Sequence, residues 1–260
     1  FEDLMDTEGT SILNADEPVC GQIHPQAKTK WTFGIQNAAD FQAIQVSLSV
    51  TGTHFVIKTS DGETPVHLPM MGQHNVSNAL AAFASARALG IASQDIQKGL
   101  QNLPTIPGRV EPIPNNQGIT ILVDYAHTPD ALQQVLHALR DLTAGKILTV
   151  FGCGGDRDPG KRPQMGRAAS TESDHVYVTS DNPRSEDPNA IIADIVPGIV
   201  GAYTVVPDRQ SAIQSAINDA REGDIVLIAG KGHETTQTAS GRTIRFDDRE
   251  VAKKAVEFNA

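Results

Sequence analysis

The fold is decided by the stretch His175-Val176-Tyr177-Val178-Thr179-Ser180-Asp181-Asn182-Pro183-Arg184. Its first five residues form a largely apolar run, which predicts a buried strand of a parallel sheet. Pro183 has no N–H for a sheet ladder, so the strand ends before it and presents Asp181, Asn182 and Arg184 at its carboxyl end. In open α/β sheets, ligands bind at that edge.

The polar residues of this stretch suit a ligand that carries both charges. A carboxylate such as that of Asp181 binds an ammonium group, and the Arg184 guanidinium grips a carboxylate through two parallel hydrogen bonds. The alternative is an Asn-Pro turn with a surface ion pair, which contributes little to stability. The residues that follow the neighbouring strands decide between these two interpretations.

Two further apolar strands end in glycine-rich polar motifs, Gly152-Cys153-Gly154-Gly155-Asp156-Arg157-Asp158 and Gly230-Lys231-Gly232-His233-Glu234. In a parallel sheet all three motifs share one edge, where glycines let a ligand approach the backbone closely. Arg157 and Arg184 would then bind carboxylates, and Asp181 and Glu234 would bind ammonium groups. Matching chemistry at three strand ends favours a binding site over tight turns with solvated charges.

A fourth strand runs into Asp124-Tyr125-Ala126-His127-Thr128-Pro129. Asp124 is a candidate to accept from a ribose hydroxyl, and Tyr125 or His127 is a candidate to line a base pocket. The same segment predicts a helix start, with Thr128 as N-cap and Pro129 in the first helical position. The two interpretations are compatible.

Asn75 and Asn78 lie three residues apart at another predicted helix start, so they share one helix face. Their amides would either contact a nucleobase or cap the helix, and the sequence leaves both open.

Two domains are predicted, residues 1–106 and 107–260, with the boundary at Pro104 and Pro107-Gly108, which interrupt the pattern. In the first domain, period-two strands predict a meander with one face exposed to water. This domain is predicted to end in two helices, residues 79–90 and 93–103, the second with Ser93 as its N-cap. In the second domain strands alternate with helices, which predicts βαβ units around a mostly parallel sheet.

Composition excludes several classes of function. The net charge of −10, from 21 basic and 31 acidic residues, argues against nucleic acid or an anionic membrane as a partner. Two cysteines far apart in sequence suggest a reducing cytoplasm rather than a disulfide framework. The sequence contains no dinucleotide fingerprint, no zinc-ligand spacing and no Gly-Lys-Ser/Thr phosphate loop.

Six motifs occur along the chain in a fixed order: Gly72-x-His74-Asn75-x-x-Asn78, Gly108-Arg109, Val123-Asp124-Tyr125-Ala126-His127-Thr128-Pro129, the glycine-rich motif at 152–158, Asp181-Asn182-Pro183-Arg184, and the motif at 230–234. This order resembles that of the Mur ligases, and the resemblance covers nearly the whole chain. It implies an α/β fold in which residues 1–106 are the later part of a central ATP-binding domain. Residues 107–260 would be a Rossmann-like C-terminal domain that binds the incoming amino acid.

The resemblance also implies roles for individual residues. Those that would bind ATP are Asn75 and Asn78 at the adenine, Asp124 at the ribose and Arg109 at the phosphates. Those that would hold the amino acid are Arg157, Asp181, Asn182, Pro183, Arg184, Gly230 and Glu234. Arg184 would select meso-2,6-diaminopimelate over lysine, because it attracts the second carboxylate and repels the bare ammonium end of lysine.

Within the family, the chain most resembles members that add meso-2,6-diaminopimelate to UDP-N-acetylmuramoyl-L-alanyl-D-glutamate in peptidoglycan biosynthesis. The implied enzyme is cytoplasmic and monomeric. It uses ATP and Mg²⁺ to form an acyl phosphate, which the amine of diaminopimelate then attacks.

The phosphate loop and metal ligands of Mur ligases precede the segment that this chain resembles. We therefore expect an incomplete piece that holds no metal and is inactive alone. Two alternatives are a related ATP-dependent ligase such as folylpolyglutamate synthetase and a non-catalytic amino-acid-binding module.

Overall fold

The computed structural model describes residues 7–104 and 106–258. The chain divides into two compact units, residues 1–104 and 105–260, two residues before the predicted boundary. Both units combine strands with helices, which confirms the predicted α/β class. Each unit is described by itself below.

The first unit contains a five-stranded sheet in the order β1-β2-β3-β4-β5. Its strands are β1 Thr10–Asn14, β2 Thr29–Gly34, β3 Phe41–Ser49, β4 Gly52–Thr59 and β5 Gly62–Leu68. The strands β3, β4 and β5 form the antiparallel meander that the sequence predicts, but β1, β2 and β3 pair in parallel. A meander through all five strands is therefore wrong, because only the β3–β4 and β4–β5 connections are tight enough for hairpins.

Two helices cover this sheet, α1 Gln73–Ala88 and α2 Ser93–Gln101. Helix α1 begins six residues before the predicted start at Ala79, so it includes both Asn75 and Asn78. The predicted Ser93 cap is wrong, because Ala92 precedes the first turn of α2 and no side chain caps it. The core forms where aromatic and aliphatic side chains of α1 meet the sheet, among them Phe33, Phe41, Phe55, Leu80 and Phe83.

The second unit contains a six-stranded sheet in the order β10-β9-β8-β11-β7-β6. Its strands are β6 Glu111–Ile113, β7 Thr120–Asp124, β8 Ile147–Phe151, β9 His175–Val178, β10 Tyr203–Val205 and β11 Ile225–Ala229. Five strands run in parallel and only the edge strand β6, which was not predicted, is antiparallel. The predicted mostly parallel sheet is confirmed. Every residue of β8 and β11 is buried, which explains why both strands are uninterrupted apolar runs.

The helices of this unit are α3 Pro129–Arg140, α4 Lys161–Thr171, α5 Pro188–Ile195, α6 Arg209–Asp219 and α7 Asp248–Phe258. Helix α3 begins as predicted: the Thr128 hydroxyl accepts a hydrogen bond from the Ala131 N–H, and Pro129 is the first helical residue. The strand-to-helix connection after β7 is thus fixed by its own cap.

A second, two-stranded sheet was not predicted. It is an antiparallel hairpin of β12 Thr236–Ala239 and β13 Arg242–Arg245. Its strands are short, polar and mostly exposed, so they carry no apolar pattern. The one available signal was the two-residue turn Ser240-Gly241, in which both residues have positive φ, as in the turns that favour hairpins.

A buried ion pair joins the starts of α6 and α7. The Arg209 guanidinium donates to both oxygens of Asp248, at 2.8 Å each, and to the Ala229 carbonyl at 2.9 Å. Both side chains are completely buried. Each charge therefore depends on the other, because neither has water to solvate it.

We expect Asp248→Asn to lower the free energy of unfolding by about 3–5 kcal/mol, because it leaves the Arg209 charge buried without its counter-ion. Urea unfolding followed by circular dichroism measures the loss. The matched control is Glu250→Gln, two residues along α7, whose exposed pair with Arg245 is worth less than about 1 kcal/mol. Equal losses of unfolding free energy in the two variants would contradict a special contribution of the buried Arg209–Asp248 pair.

Candidate functional site

The parallel strands of the second unit direct their following loops to a common cavity. The loops after β7, β8, β9 and β11 all contribute to its wall, and its volume is about 550 Å³. It is lined by six of the predicted residues, Arg157, Asp181, Asn182, Arg184, Gly230 and Glu234. The loops after β8, β9 and β11 thus bring the two predicted guanidinium groups and the two predicted carboxylates to one place, together with the carboxylate of Asp158.

Pro183 does not line this cavity. It is buried, and its carbonyl oxygen would lie 2.0 Å from a Cβ placed on Gly155. The Gly155 N–H donates to the Asn182 carbonyl at 2.9 Å. The loops after β8 and β9 are therefore in backbone contact, and Gly155 is required because any side chain there would push them apart.

Glu234 and Asn182 are held by Lys231, a residue that the sequence analysis did not single out. Lys231 is completely buried, and its ammonium donates to Glu234 Oε2 at 3.1 Å, Asn182 Oδ1 at 3.3 Å and the Thr236 carbonyl at 2.7 Å. Asn182 Nδ2 donates to the same Glu234 oxygen at 2.8 Å, and Asn182 Oδ1 also accepts from the Thr238 N–H. These bonds engage both the oxygen and the nitrogen of the Asn182 side-chain amide. The amide is therefore fixed, and it in turn holds the Glu234 carboxylate in place.

The two carboxylates of the cavity titrate in opposite directions. Burial raises the pKa of Asp181, and the nearby negative charge of Glu234 raises it further. Burial also acts to raise the pKa of Glu234, but hydrogen bonds from Asn182 and Lys231 outweigh it and the net pKa is lowered. Glu234 is therefore the stably ionised carboxylate, whereas Asp181 gains from an added positive charge.

Arg184 is fixed by the β12–β13 hairpin. The backbone N–H of Arg184 donates to the Thr238 carbonyl at 2.9 Å, and the backbone carbonyl of Arg184 accepts from the Ser240 N–H at 2.7 Å. Its backbone has a φ of +53°, which is uncommon for a residue with a side chain. The guanidinium donates through Nη1 to the Gly155 carbonyl at 2.6 Å. The hairpin and the loop after β8 together hold Arg184 at the cavity wall.

The same hairpin contacts the start of the motif. Gln237 Nε2 donates to the Asp181 carbonyl at 2.6 Å and lies 3.2 Å from Ser180 Oγ. The unpredicted hairpin is therefore the support for the segment from Ser180 to Arg184.

Two other arginines of the cavity differ in their environment. Arg157 is exposed and lies at the rim. Arg162, which the sequence analysis did not assign to the site, is 3% exposed and donates to both oxygens of Glu186 and to Asp194. Hydrogen bonding to Glu186 raises the pKa of Arg162. Arg157 is thus free to follow a ligand, whereas Arg162 is part of the fixed wall.

The predicted ATP residues of the second unit lie at the end of β7. Asp124 is 3% exposed, and its two oxygens accept from the backbone N–H groups of Val110 and Ala126, both at 2.7 Å. Arg109 is exposed and lies with Cζ 5.5 Å from the centre of the Tyr125 ring. Asp124 therefore shapes the backbone of this loop, and its contact with a ribose stays a prediction, as does that of Arg109 with phosphate.

In the first unit, Asn75 and Asn78 lie in the first turns of α1. Asn75 Nδ2 donates to the Met71 carbonyl at 2.8 Å, and Asn78 is exposed. The capping alternative is wrong, because Gly72 occupies the N-cap position and no side chain caps this helix. A contact of these amides with a nucleobase stays a prediction.

The part of the chain that the structure describes has neither a metal-binding cluster nor a membrane-spanning helix. No three His, Cys, Asp or Glu side chains among residues 7–104 and 106–258 are grouped so that they could hold a metal ion. Over the same residues, no helix is both long enough and apolar enough to span a bilayer.

Comparison with protein families gives two matches. A family model described as "Mur ligase middle domain" matches residues 1–86, and one described as "Mur ligase, glutamate ligase domain" matches residues 108–232. The second match contains every cavity residue except Glu234.

The individual proteins that are similar to this chain include several relatives of the same name. The chain is 43% identical over 251 residues to UDP-N-acetylmuramoyl-L-alanyl-D-glutamate–2,6-diaminopimelate ligase of Geobacillus kaustophilus, covering 95% of this chain and 51% of the relative. For that of Bacillus licheniformis the identity is 44% over 253 residues, covering 96% and 52%. A solved structure of the same name has a TM-score of 0.72 at 37% identity, covering 96% and 53%. The chain spans about half the length of the curated relatives it matches.

We expect Gly155→Ala to cost about 1–3 kcal/mol of stability, because its Cβ would overlap the Pro183 carbonyl oxygen. Thermal unfolding measures the cost. Gly160→Ala is the matched control: Gly160 has φ of −63°, and its nearest neighbour would be 3.2 Å away on the Asp158 side chain. Loss of the same size in the control would show that contact between the two loops is not the cause.

We expect Asp181→Asn to stabilise the ligand-free chain at neutral pH. Because burial raises the pKa of Asp181 in the folded state, the charged carboxylate disfavours folding above that pKa. The gain should shrink as pH falls through the raised pKa and vanish below the unfolded-state value.

The control for this pH dependence is Asp156→Asn, which should have the opposite sign. Hydrogen bonding from Ser185 lowers the pKa of Asp156, so its carboxylate favours folding above the unfolded-state value. Urea unfolding between pH 3 and pH 8 measures both variants. A stability change of the same sign in the two would refute the assignment.

Proposed function

Because the chain belongs to the Mur ligase family, we propose that it is part of an ADP-forming ligase that adds meso-2,6-diaminopimelate to UDP-N-acetylmuramoyl-L-alanyl-D-glutamate. The observation that carries this proposal is one cavity in which the guanidinium groups of Arg157 and Arg184 and the carboxylates of Asp181 and Glu234 converge from three parallel strand ends. The second unit would bind the incoming amino acid, and the first would contribute to the ATP site.

The charges of the cavity match those of the proposed ligand. Diaminopimelate carries an ammonium and a carboxylate at each end. Glu234, which is ionised by its hydrogen bonds, and Asp181, which gains from a positive neighbour, are suited to the ammonium groups. Arg157 and Arg184 are suited to the carboxylates. A volume of about 550 Å³ is typical of small-molecule pockets.

Selection against lysine is assigned to Arg184. Lysine lacks the second carboxylate, so its free end would bring a bare ammonium toward the guanidinium. The hairpin holds the Arg184 backbone on both sides, and the Gly155 carbonyl fixes one end of the side chain. Because the charge is anchored, it cannot move away from the ammonium group, and the repulsion adds to the lost attraction.

In the proposed reaction, the D-glutamate carboxylate of the acceptor is activated as an acyl phosphate, and ATP supplies the phosphoryl group. The cavity holds the amine of diaminopimelate for attack on that acyl group, which forms the amide and releases inorganic phosphate and a proton. It also limits the access of water, which would hydrolyse the acyl phosphate. Asn75, Asn78, Arg109 and Asp124 are the proposed ATP contacts. The described residues include no cluster of His, Cys, Asp or Glu side chains that would hold Mg²⁺.

The enzyme would act as a monomer in the cytoplasm, where its two cysteines, Cys20 and Cys153, stay as thiols. Burial raises the pKa of Cys153, which lines the cavity, to about 12, so its thiol is not nucleophilic at neutral pH.

We expect the 260-residue chain to bind meso-diaminopimelate and to bind L-lysine much more weakly, as measured by isothermal titration calorimetry. Arg184→Ala should lower the affinity for diaminopimelate by at least about 2 kcal/mol, because it removes a charge-assisted hydrogen-bonded pair. Arg167→Ala, on the exposed face of α4 and outside the cavity wall, is the matched control and should have no effect. Equal binding of the two amino acids, or binding of neither, would refute the proposed specificity.

A further inference from the structure

The Lys231 ammonium has no donor left for a ligand. Its Nζ contacts Glu234, Asn182 and the Thr236 carbonyl, and an ammonium has three N–H donors. The side chain is completely buried and does not line the cavity. Any effect of Lys231 on a ligand must therefore act through the groups that it holds.

Lys231 differs from the other deeply buried cations of this unit. Among its described residues, Arg162, Arg209 and Lys231 are each 3% exposed or less. Arg162 pairs with Glu186 and Asp194, and Arg209 pairs with Asp248, and those carboxylates lie outside the cavity wall. The carboxylate that Lys231 contacts, Glu234, lines the cavity. The Lys231 ammonium therefore acts on a carboxylate of the cavity wall.

The other charged groups around Glu234 show why this charge is needed. Asp181, from the end of β9, is a second carboxylate in the same cavity, and like charges in one site oppose each other's ionisation. Arg184 favours the ionised form of Glu234, and Arg209 interacts with both carboxylates from behind the sheet end. Of these cations, Lys231 alone donates a hydrogen bond to Glu234 among the described contacts.

We propose that Lys231 is the positioning residue of this cavity: it keeps the Glu234 carboxylate oriented and ionised so that it can accept an ammonium group of the ligand. The bond to the Thr236 carbonyl ties the same ammonium to the β12–β13 hairpin, so one side chain connects Glu234 to the support of Arg184. The identity of the ligand rests on the proposed function, but the action of Lys231 on Glu234 does not.

The first test measures binding of meso-diaminopimelate to the 260-residue chain by calorimetry between pH 5 and pH 9. Lys231→Met should lower the affinity at pH 7 by about tenfold or more, the worth of one charge-assisted hydrogen bond. As the pH is lowered, Lys231→Met should lose affinity at a higher pH than the parent chain does, because its Glu234 carboxylate protonates more readily. Lys254→Met, an exposed lysine of α7, should leave the profile unchanged.

A double-mutant cycle separates this action from a merely structural role. The cycle is made in the Asp181→Asn background, because the Lys231 charge also acts to lower the pKa of Asp181. There Lys231→Met should still move the pH profile, and it should move it no further once Glu234→Gln is added, because the carboxylate through which it acts is then absent. An equal loss of affinity at every pH, present also once Glu234→Gln is added, would overturn the proposal. Lys231→Arg, if it restores the profile at lower stability, supports the role of the charge.

The second test needs no ligand. The Glu234 side-chain carboxyl is followed by carbon NMR during a pH titration and assigned by its loss in Glu234→Gln. In the parent chain it should titrate below its ordinary pKa, and in Lys231→Met above the parent value. Titration of the parent chain at or above the ordinary pKa overturns the inference even if Lys231→Met does not fold. If the parent chain binds no diaminopimelate, the proposed function fails, but the NMR titration of Glu234 still shows whether Lys231 keeps this carboxylate ionised.

Discussion

A single buried ammonium, that of Lys231, connects the three segments on which the cavity depends. It contacts Asn182 after β9, Glu234 after β11 and the Thr236 carbonyl of the hairpin. The parallel sheet brings the strand ends together, but it does not orient the side chains that follow them. That orientation comes from polar bonds around a completely buried ammonium, where each bond is strong and each missing partner is costly.

The charged groups of the cavity are of two kinds: fixed charges, which protein partners hold in place, and responsive charges, which can move or change ionisation when a ligand binds. Glu234, Arg162 and Arg184 are held by several protein partners, whereas Arg157 is exposed and Asp181 has a raised pKa. Fixed charges give selectivity, because they cannot relax around the wrong ligand. Responsive charges give affinity, because the ligand relieves an unfavourable state that the empty cavity maintains.

The sequence was sufficient for the sheet and for the clustering of the motifs, because both follow from apolar runs that end in turn-forming residues. The predicted strand at 147–151 has the observed bounds, and the predicted helix at 129–142 begins at the observed residue but ends two residues beyond the observed end. The hairpin at 236–245 was missed because its strands carry no apolar pattern. The role of Lys231 was missed because it depends on contacts with a segment far away in the chain. The parallel pairing of β1 with β2 was missed for the same reason.

The dependence of Arg184 on the hairpin has a consequence for changing the specificity of such a cavity. Its backbone adopts a left-handed conformation that is maintained from outside, by the Thr238 carbonyl and the Ser240 N–H. An arginine introduced at the equivalent position of a protein without this hairpin would supply the positive charge, but nothing would hold that charge in the same place. Under the proposed function, recognition of a second carboxylate would therefore require both the segment of Arg184 and the distant hairpin, and neither would transfer it alone.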